Sequence, residues 1–168
     1  LRAAAPLLAP VRITAMLDAV GFAHRQQLRL GKYLTAADIE AQRLSDMEGV
    51  LHALPTVELR RGGPATGLTV TSTRRAPIKR IGNAFSGNIC AALYFDAHEI
   101  VAEDLQMIPS SEIAAVESYR PEDTPTSLAT EVPGYKGGCA TVFVWSKEYQ
   151  ARALARKRRA TMRESSPS

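Results

Sequence analysis

The segment ATVFVWS at residues 140–146 constrains the fold of this chain most strongly. It is apolar at both alternating sets of positions and rich in β-branched and aromatic side chains, which is typical of a strand covered on both faces. We therefore interpret it as the core strand of a sheet.

The stretch before this strand predicts a second strand followed by a loop. Residues 114–119 (AAVESY) are typical of a strand, and the Pro-Ser-Ser-Glu sequence at 109–112 suits one helical turn before it. Prolines and glycines then follow so densely, between residues 121 and 138, that we expect no regular element there. Further strands are predicted at residues 57–60, 68–73 and 90–96.

Two short helices are predicted from capping patterns. Thr35 is followed three residues later by Asp38, which is close to a capping box, and Ser45 and Glu48 form an S-x-x-E box. The second helix ends before Pro55, and one apolar stripe on it would face the sheet: Met47, Val50, Leu51 and Leu54.

The other segments are interpreted as connections. Residues 22–34 are arginine-rich and predict a helical turn and loop with Phe22, Leu28 and Leu30 directed inward. Residues 74–88 are polar and predict a surface loop. Residues 8–15 alternate like a strand, and they are either an extended linker or a peptide that adds to the sheet edge of a partner.

Composition predicts one domain and a basic tail. The chain has 168 residues, of which 45% are hydrophobic, and no apolar run approaches the roughly 18 residues that a membrane helix needs. Because the sequence begins without Met or a signal peptide, we expect an excised or processed segment of a longer protein. The net charge is +4, and the basic residues between 152 and 163 predict a solvated helix or disordered end, with nucleic-acid or anionic-lipid binding as the alternative.

No pattern in the sequence indicates an enzyme. His24, His52 and His98 lack the spacing of a zinc site, and a thiol nucleophile at Cys139 with His98 as base is disfavoured because Cys139 begins an apolar strand. We therefore predict no catalytic, cofactor-binding or metal-binding residue.

The region from residue 112 to 147 resembles the end of the plug domain of TonB-dependent outer-membrane receptors. The resemblance is carried by an acidic residue before isoleucine, a V-E-x-Y-R-P run, a glycine and a final apolar strand: Glu112, Ile113, Val116, Glu117, Tyr119, Arg120, Pro121, Gly138, Val142, Val144, Trp145, Ser146 and Lys147. In having a cysteine before the last strand, the chain resembles the divergent plug-like modules found C-terminal to carboxypeptidase-regulatory-like domains. The resemblance implies an α+β fold, with a small mixed β-sheet of about four strands and two short helices packed on one side.

The resemblance also implies an oxidising compartment, in which Cys90 and Cys139 would form a disulfide. Each cysteine stands just before one of the two most apolar strands, so the two could begin adjacent strands at the same end of the sheet. Two unrelated buried thiols in a cytosolic protein are the alternative.

The resulting hypothesis has an extended linker at residues 1–15, a plug-like domain at 16–147 and a basic helical or disordered tail at 148–168. The expected function is non-enzymatic binding or docking in the periplasm or outer membrane, with a TonB-type protein or a β-barrel as a possible partner. One alternative is the plug of a receptor that gates siderophore-type nutrient uptake, with its barrel outside this chain. Another is a nucleic-acid-binding domain that uses the basic tail.

Overall fold

The computed structural model describes residues 20–61, 68–73, 79–81, 84–86, 90–135 and 137–164. The expectations for residues 8–15 lie outside the described residues. In the described part, the α-helices are α1 Phe22–Leu28, α2 Ala36–Ala41, α3 Met47–His52, α4 Ala102–Gln106, α5 Thr126–Glu131 and α6 Lys147–Glu164. The strands are β1 Lys32–Thr35, β2 Val57–Arg61, β3 Leu68–Ser72, β4 Lys79–Ile81, β5 Ala84–Ser86, β6 Ala91–Phe95, β7 His98–Ile100, β8 Ile113–Tyr119 and β9 Ala140–Ser146. A 3₁₀ turn at Ser110–Glu112 precedes β8, as the sequence predicts.

The main sheet has five strands in the order β1-β8-β9-β6-β7. β6 pairs with β9 in parallel, and the other pairings are antiparallel, so the sheet is mixed and the α+β class is confirmed. Strands β8 and β9 lie in the middle, and every residue of both is buried. The core strand predicted at residues 140–146 therefore corresponds to β9.

The main sheet has an apolar cluster on each face, which explains why β9 is apolar at both alternating sets of positions. Val142 and Val144 pack in one cluster with side chains of α2, α3 and α4. Phe143 and Trp145 pack in the other with side chains of α1 and α5. The two helices predicted from the sequence, α2 and α3, lie on one face as expected, and α1 and α5 lie on the other face.

The two predicted helices form, with one change of cap. The Thr35 side chain accepts a hydrogen bond from the backbone N–H of Asp38, and the Asp38 carboxylate accepts one from the backbone of Thr35, so the capping box is present. Helix α3 begins after Asp46 instead of Ser45, because the Asp46 carboxylate accepts a hydrogen bond from Gly49 N at 2.8 Å. A carboxylate at this position also interacts favourably with the helix dipole.

Several segments differ from the predictions. Strand β1 forms within the stretch expected to be a helical turn and loop, and there Phe22 is buried whereas Leu28 and Leu30 are 47% and 45% exposed. Helix α5 forms among the prolines and glycines where no regular element was expected. Strands β4 and β5 form a short hairpin within the expected surface loop. Strands β2 and β3 form a separate two-stranded sheet, which an isolated bridge joins to Cys90 before β6.

Candidate functional site: a buried ionic network and an arginine-lined groove

A buried ion pair connects α1 to the centre of the sheet. Arg25 donates from Nε to Glu117 Oε2 at 3.0 Å and from Nη2 to Glu117 Oε1 at 2.6 Å. The side chains of Arg25 and Glu117 are 2% and 0% exposed. Arg25 Nη1 also reaches the carboxylate of Glu131 at 3.3 Å, on the outer helix α5. The guanidinium therefore joins one helix, the central strand β8 and a second helix.

Aromatic side chains complete what we call the Arg25–Glu117 network. Tyr119 donates from its hydroxyl to Glu117 Oε2 at 2.6 Å, and Trp145 donates from Nε1 to Glu117 Oε1 at 2.7 Å. The guanidinium of Arg25 lies 5.8 Å from the ring centroid of Trp145. Each carboxylate oxygen of Glu117 thus accepts two hydrogen bonds, which offsets the cost of burying its charge.

The electrostatic environment of the network keeps the guanidinium of Arg25 charged and the hydroxyl of Tyr119 protonated. Burial by itself lowers the pKa of Arg25, but the hydrogen bonds and the charge of Glu117 outweigh burial and raise that pKa above its ordinary value. Burial first, and then the charge of Glu117, raises the pKa of Tyr119 well above its ordinary value. Because these groups are enclosed and satisfied by one another, the arrangement acts as a structural connection between α1 and the sheet.

Glu117, Tyr119 and Trp145 belong to the motif that carries the plug resemblance, but no joint role was predicted for them, and none was predicted for Arg25. Arg25 and Glu117 are 92 residues apart, so no local spacing connects them. The one available signal was the glutamate within the predicted 114–119 strand, because a glutamate that is buried in a sheet needs a positively charged partner.

A second constellation holds the beginning of α6 against the β6–β7 turn. The Asp96 carboxylate accepts hydrogen bonds from Ser146 N at 2.7 Å and from Ser146 Oγ at 2.6 Å. Ser146 Oγ in turn accepts one from Tyr149 N at 3.0 Å, as an N-cap does. Asp96 and Ala97 have φ values of 49° and 69°, so both adopt the left-handed conformation, which an alanine tolerates less well than a glycine.

A groove of about 830 Å³ lies between α6 and the β6–β7 hairpin, and we call it the arginine groove. Its lining comes from two sides: Phe95, Asp96, His98, Glu99 and Ile100 from the hairpin, and Tyr149, Arg152, Ala155, Arg156 and Arg159 from the helix. The basic tail predicted from the sequence thus forms one side of a concave surface. No pattern in the sequence indicated that the hairpin would form the other side.

Cys90 and Cys139 form a disulfide in the structure, with their Cα atoms 5.1 Å apart. Cys90 precedes β6, Cys139 precedes β9, and these two strands are parallel neighbours from the pair Ala91 and Ala140 onward. The disulfide therefore joins the beginnings of two adjacent strands, in the arrangement described from the sequence. Cys139 has no free thiol in this form.

The three histidines lie apart from one another, in α1, in α3 and at the β6–β7 turn. His98 is near Asp96, whose backbone carbonyl lies 2.9 Å from the His98 Nδ1 atom. In the part of the chain that the structure describes, no three His, Cys, Asp or Glu side chains are grouped to hold a metal ion. Among the described helices, none is both long enough and apolar enough to cross a membrane.

No protein-family model matches the chain, and no curated protein sequence matches it at a significant level. Two solved structures that match are crystal structures of the ferric enterobactin receptor PfeA from Pseudomonas aeruginosa. One, a double mutant, has 15% identity and a TM-score of 0.45. The other, a single mutant in complex with enterobactin, has 16% identity and a TM-score of 0.39.

Both alignments cover 70% of this chain and 17% of the receptor chain. The chain thus spans about a sixth of the length of the receptor to which it is similar. This similarity assigns no role to any residue of the chain.

Proposed function

We propose that this chain is a disulfide-stabilised, non-enzymatic docking module of a periplasmic or outer-membrane protein, with a plug-like fold. The arginine groove carries the docking part of the proposal, because it is a concave, charged surface next to the main sheet. The resemblance of residues 112–147 to plug domains supports the plug-like part, and the α+β architecture is of the kind that this resemblance implies.

The disulfide between Cys90 and Cys139 supports the proposed location in the periplasm or outer membrane. Disulfides persist in the periplasm and at the cell surface, whereas cytosolic thiols are kept reduced. The non-enzymatic part is supported by the partners of several groups that could otherwise act in catalysis. Arg25, Glu117 and Tyr119 are enclosed within one network, and Cys139 is joined to Cys90.

Fractionation of cells that make the parent protein tests the proposal. We expect the chain in the envelope fraction, with no thiol that reacts before reduction. After extraction in mild detergent, size-exclusion chromatography should show it in a complex larger than the parent polypeptide alone. Recovery of the protein from the cytosol with two reactive thiols would contradict the proposed periplasmic or outer-membrane location. Elution of the extracted protein as an isolated polypeptide would contradict the proposed docking function.

The resemblance also supports a finer proposal, in which the module lies C-terminal to a carboxypeptidase-regulatory-like domain. The sequence of the parent gene tests this point. The same sequence tests the receptor alternative, since a barrel-coding region after Ser168 is expected only if the chain is the plug of a receptor.

A further inference from the structure

We infer that the arginine groove binds an extended, acidic peptide segment of a partner protein. The inference rests on the proposed docking function and specifies the chemistry of the partner. It is carried by the placement of arginines along α6 and by the shape of the surface that they line.

Four arginines lie on one face of α6. Arg152, Arg156, Arg159 and Arg163 follow one another at intervals of four, three and four residues, which places them in one row along a helix. The row extends for about 16 Å, at a rise of about 1.5 Å per residue. The first three arginines line the arginine groove, and the last three line an adjoining hollow of about 560 Å³. A ligand in the groove therefore meets a line of positive charges.

Part of this row is held in place by neighbours. Arg152 forms an ion pair with Glu148 one turn earlier, and the guanidinium of Arg156 lies 6.0 Å from the ring centroid of Tyr149. Among the residues that the structure describes, neither Arg159 nor Arg163 has an acidic partner within ion-pair distance. No carboxylate of the described residues therefore occupies these two guanidinium groups, which leaves them for the carboxylates of another chain.

The hairpin side of the groove suits an extended chain. Phe95 and Ile100 provide apolar lining for side chains that alternate with acidic ones. The hairpin also contributes two carboxylates, and that of Asp96 is engaged by Ser146. The second, Glu99, lies on the hairpin side, so acidic side chains of the ligand would be directed toward the helix. Same-side residues of an extended peptide recur at about 7 Å, close to the rise of about 6 Å between arginines four residues apart.

A membrane surface fits these observations less well. In the exposed part of α6 from residue 156 to 163, the apolar side chains are Ala160 and Met162, too few for the apolar face of an interfacial helix. A nucleic acid also fits less well, because the aromatic residue of the helix side, Tyr149, stacks with Arg156 instead of offering a free face to a base. An acidic peptide needs neither feature.

Fluorescence anisotropy with a labelled octapeptide of alternating Glu and Val tests the inference, at about 0.15 M salt. The groove variant is Arg156→Gln/Arg159→Gln. The matched control is Lys157→Gln/Arg158→Gln, which removes the same charge from other faces of the same helix. We expect the groove variant to weaken binding about tenfold and the control to weaken it less than about twofold. The substituted side chains are exposed, and the fluorescence of Trp145 checks that each variant is folded.

Equal weakening by the two variants would overturn the inference, since it would show attraction by net charge alone. Absence of binding to the wild-type chain would also overturn it. So would tighter binding to an octathymidylate or to vesicles with about a third anionic lipid than to the peptide. None of these outcomes changes the location or the complex size that test the proposed function, so the two can fail separately.

Discussion

Replacing Glu117 by glutamine should strongly destabilise the fold, although the two side chains have nearly the same shape. The carboxylate accepts two hydrogen bonds at each oxygen, from Arg25, Tyr119 and Trp145. An amide group keeps one acceptor oxygen and replaces the other with an N–H donor. In either orientation, an N–H of the glutamine faces an N–H of Arg25.

The size of the effect follows from the burial of the pair. The less costly orientation places the amide nitrogen near the Tyr119 hydroxyl, which can accept a hydrogen bond, while Arg25 Nε loses its acceptor. The guanidinium then remains buried with one anionic neighbour, Glu131, whose side chain is 51% exposed. Breaking a buried pair in this way costs about 3–5 kcal/mol, which is a large part of the stability of a domain of this size.

Urea unfolding monitored by tryptophan fluorescence measures this effect. Trp145 is the single tryptophan of the chain, and it donates directly to Glu117. We expect the midpoint to fall by more than about 1 M in the variant. A double-mutant cycle combines Glu117→Gln with Arg25→Met. The double variant should lose about 2–3 kcal/mol less free energy of unfolding than the two single variants lose together, because each single change leaves an uncompensated charge. A loss below about 1 kcal/mol for Glu117→Gln, or additive effects in the cycle, would refute this reasoning.

Three other predictions follow from single features. Thiol titration of the native protein should find no free thiol, and reduction should lower the free energy of unfolding by about 4 kcal/mol for a loop of 49 residues while the sheet persists. Two reactive thiols before reduction would contradict this. The raised pKa of Tyr119 keeps its hydroxyl protonated in the folded state, whereas the unfolded chain ionises it near pH 10.0. The free energy of unfolding should therefore fall above that pH by up to about 1.4 kcal/mol per pH unit. Tyr119→Phe should reduce this slope, and equal slopes would show that Tyr119 does not cause it. Arg43 is exposed with φ 54°, so Arg43→Gly should stabilise the fold by about 0.5–1 kcal/mol in thermal unfolding, an effect that the control Arg43→Ala should not reproduce.

The parts of the fold that depend on local pattern could be predicted from the sequence. The β9 segment is apolar at both sets of positions, and the structure covers both faces of that strand. The stripe of Met47, Val50 and Leu51 lies on one face of α3 and is buried as expected. The capping box of Thr35 likewise depends on neighbouring residues alone.

Features that depend on distant partners could not be predicted in this way. Strand β1 contains Lys32 and Tyr33, and it is a strand because β8 pairs with it across more than 80 residues of sequence. Helix α5 has six residues between proline-rich turns, and burial of Leu128 against the sheet fixes it there. Tertiary packing overrides local propensity at both places.

The candidate site was predicted only in part for the same reason. The basic character of the C-terminal tail was visible in the sequence, but the groove also needs the hairpin at Asp96 and Ala97, where no residue favours a positive φ as glycine does. The hydrogen bonds from Ser146 to Asp96 hold that turn beside α6 across 50 residues. The two sides of the groove are thus brought together by a contact that no local pattern encodes.

The disulfide has a consequence for the rate at which the sheet assembles. Strands β6 and β9 are parallel neighbours, and in an open chain they can pair only after the whole crossover between them has been placed. In the oxidised chain, Cys90 and Cys139 already hold the starts of both strands together, next to the first pair of Ala91 and Ala140. The entropy of closing that loop is then lost before folding begins. Oxidised protein should therefore refold from urea faster than reduced protein, and β9 should meet β6 in its final register from the first contact.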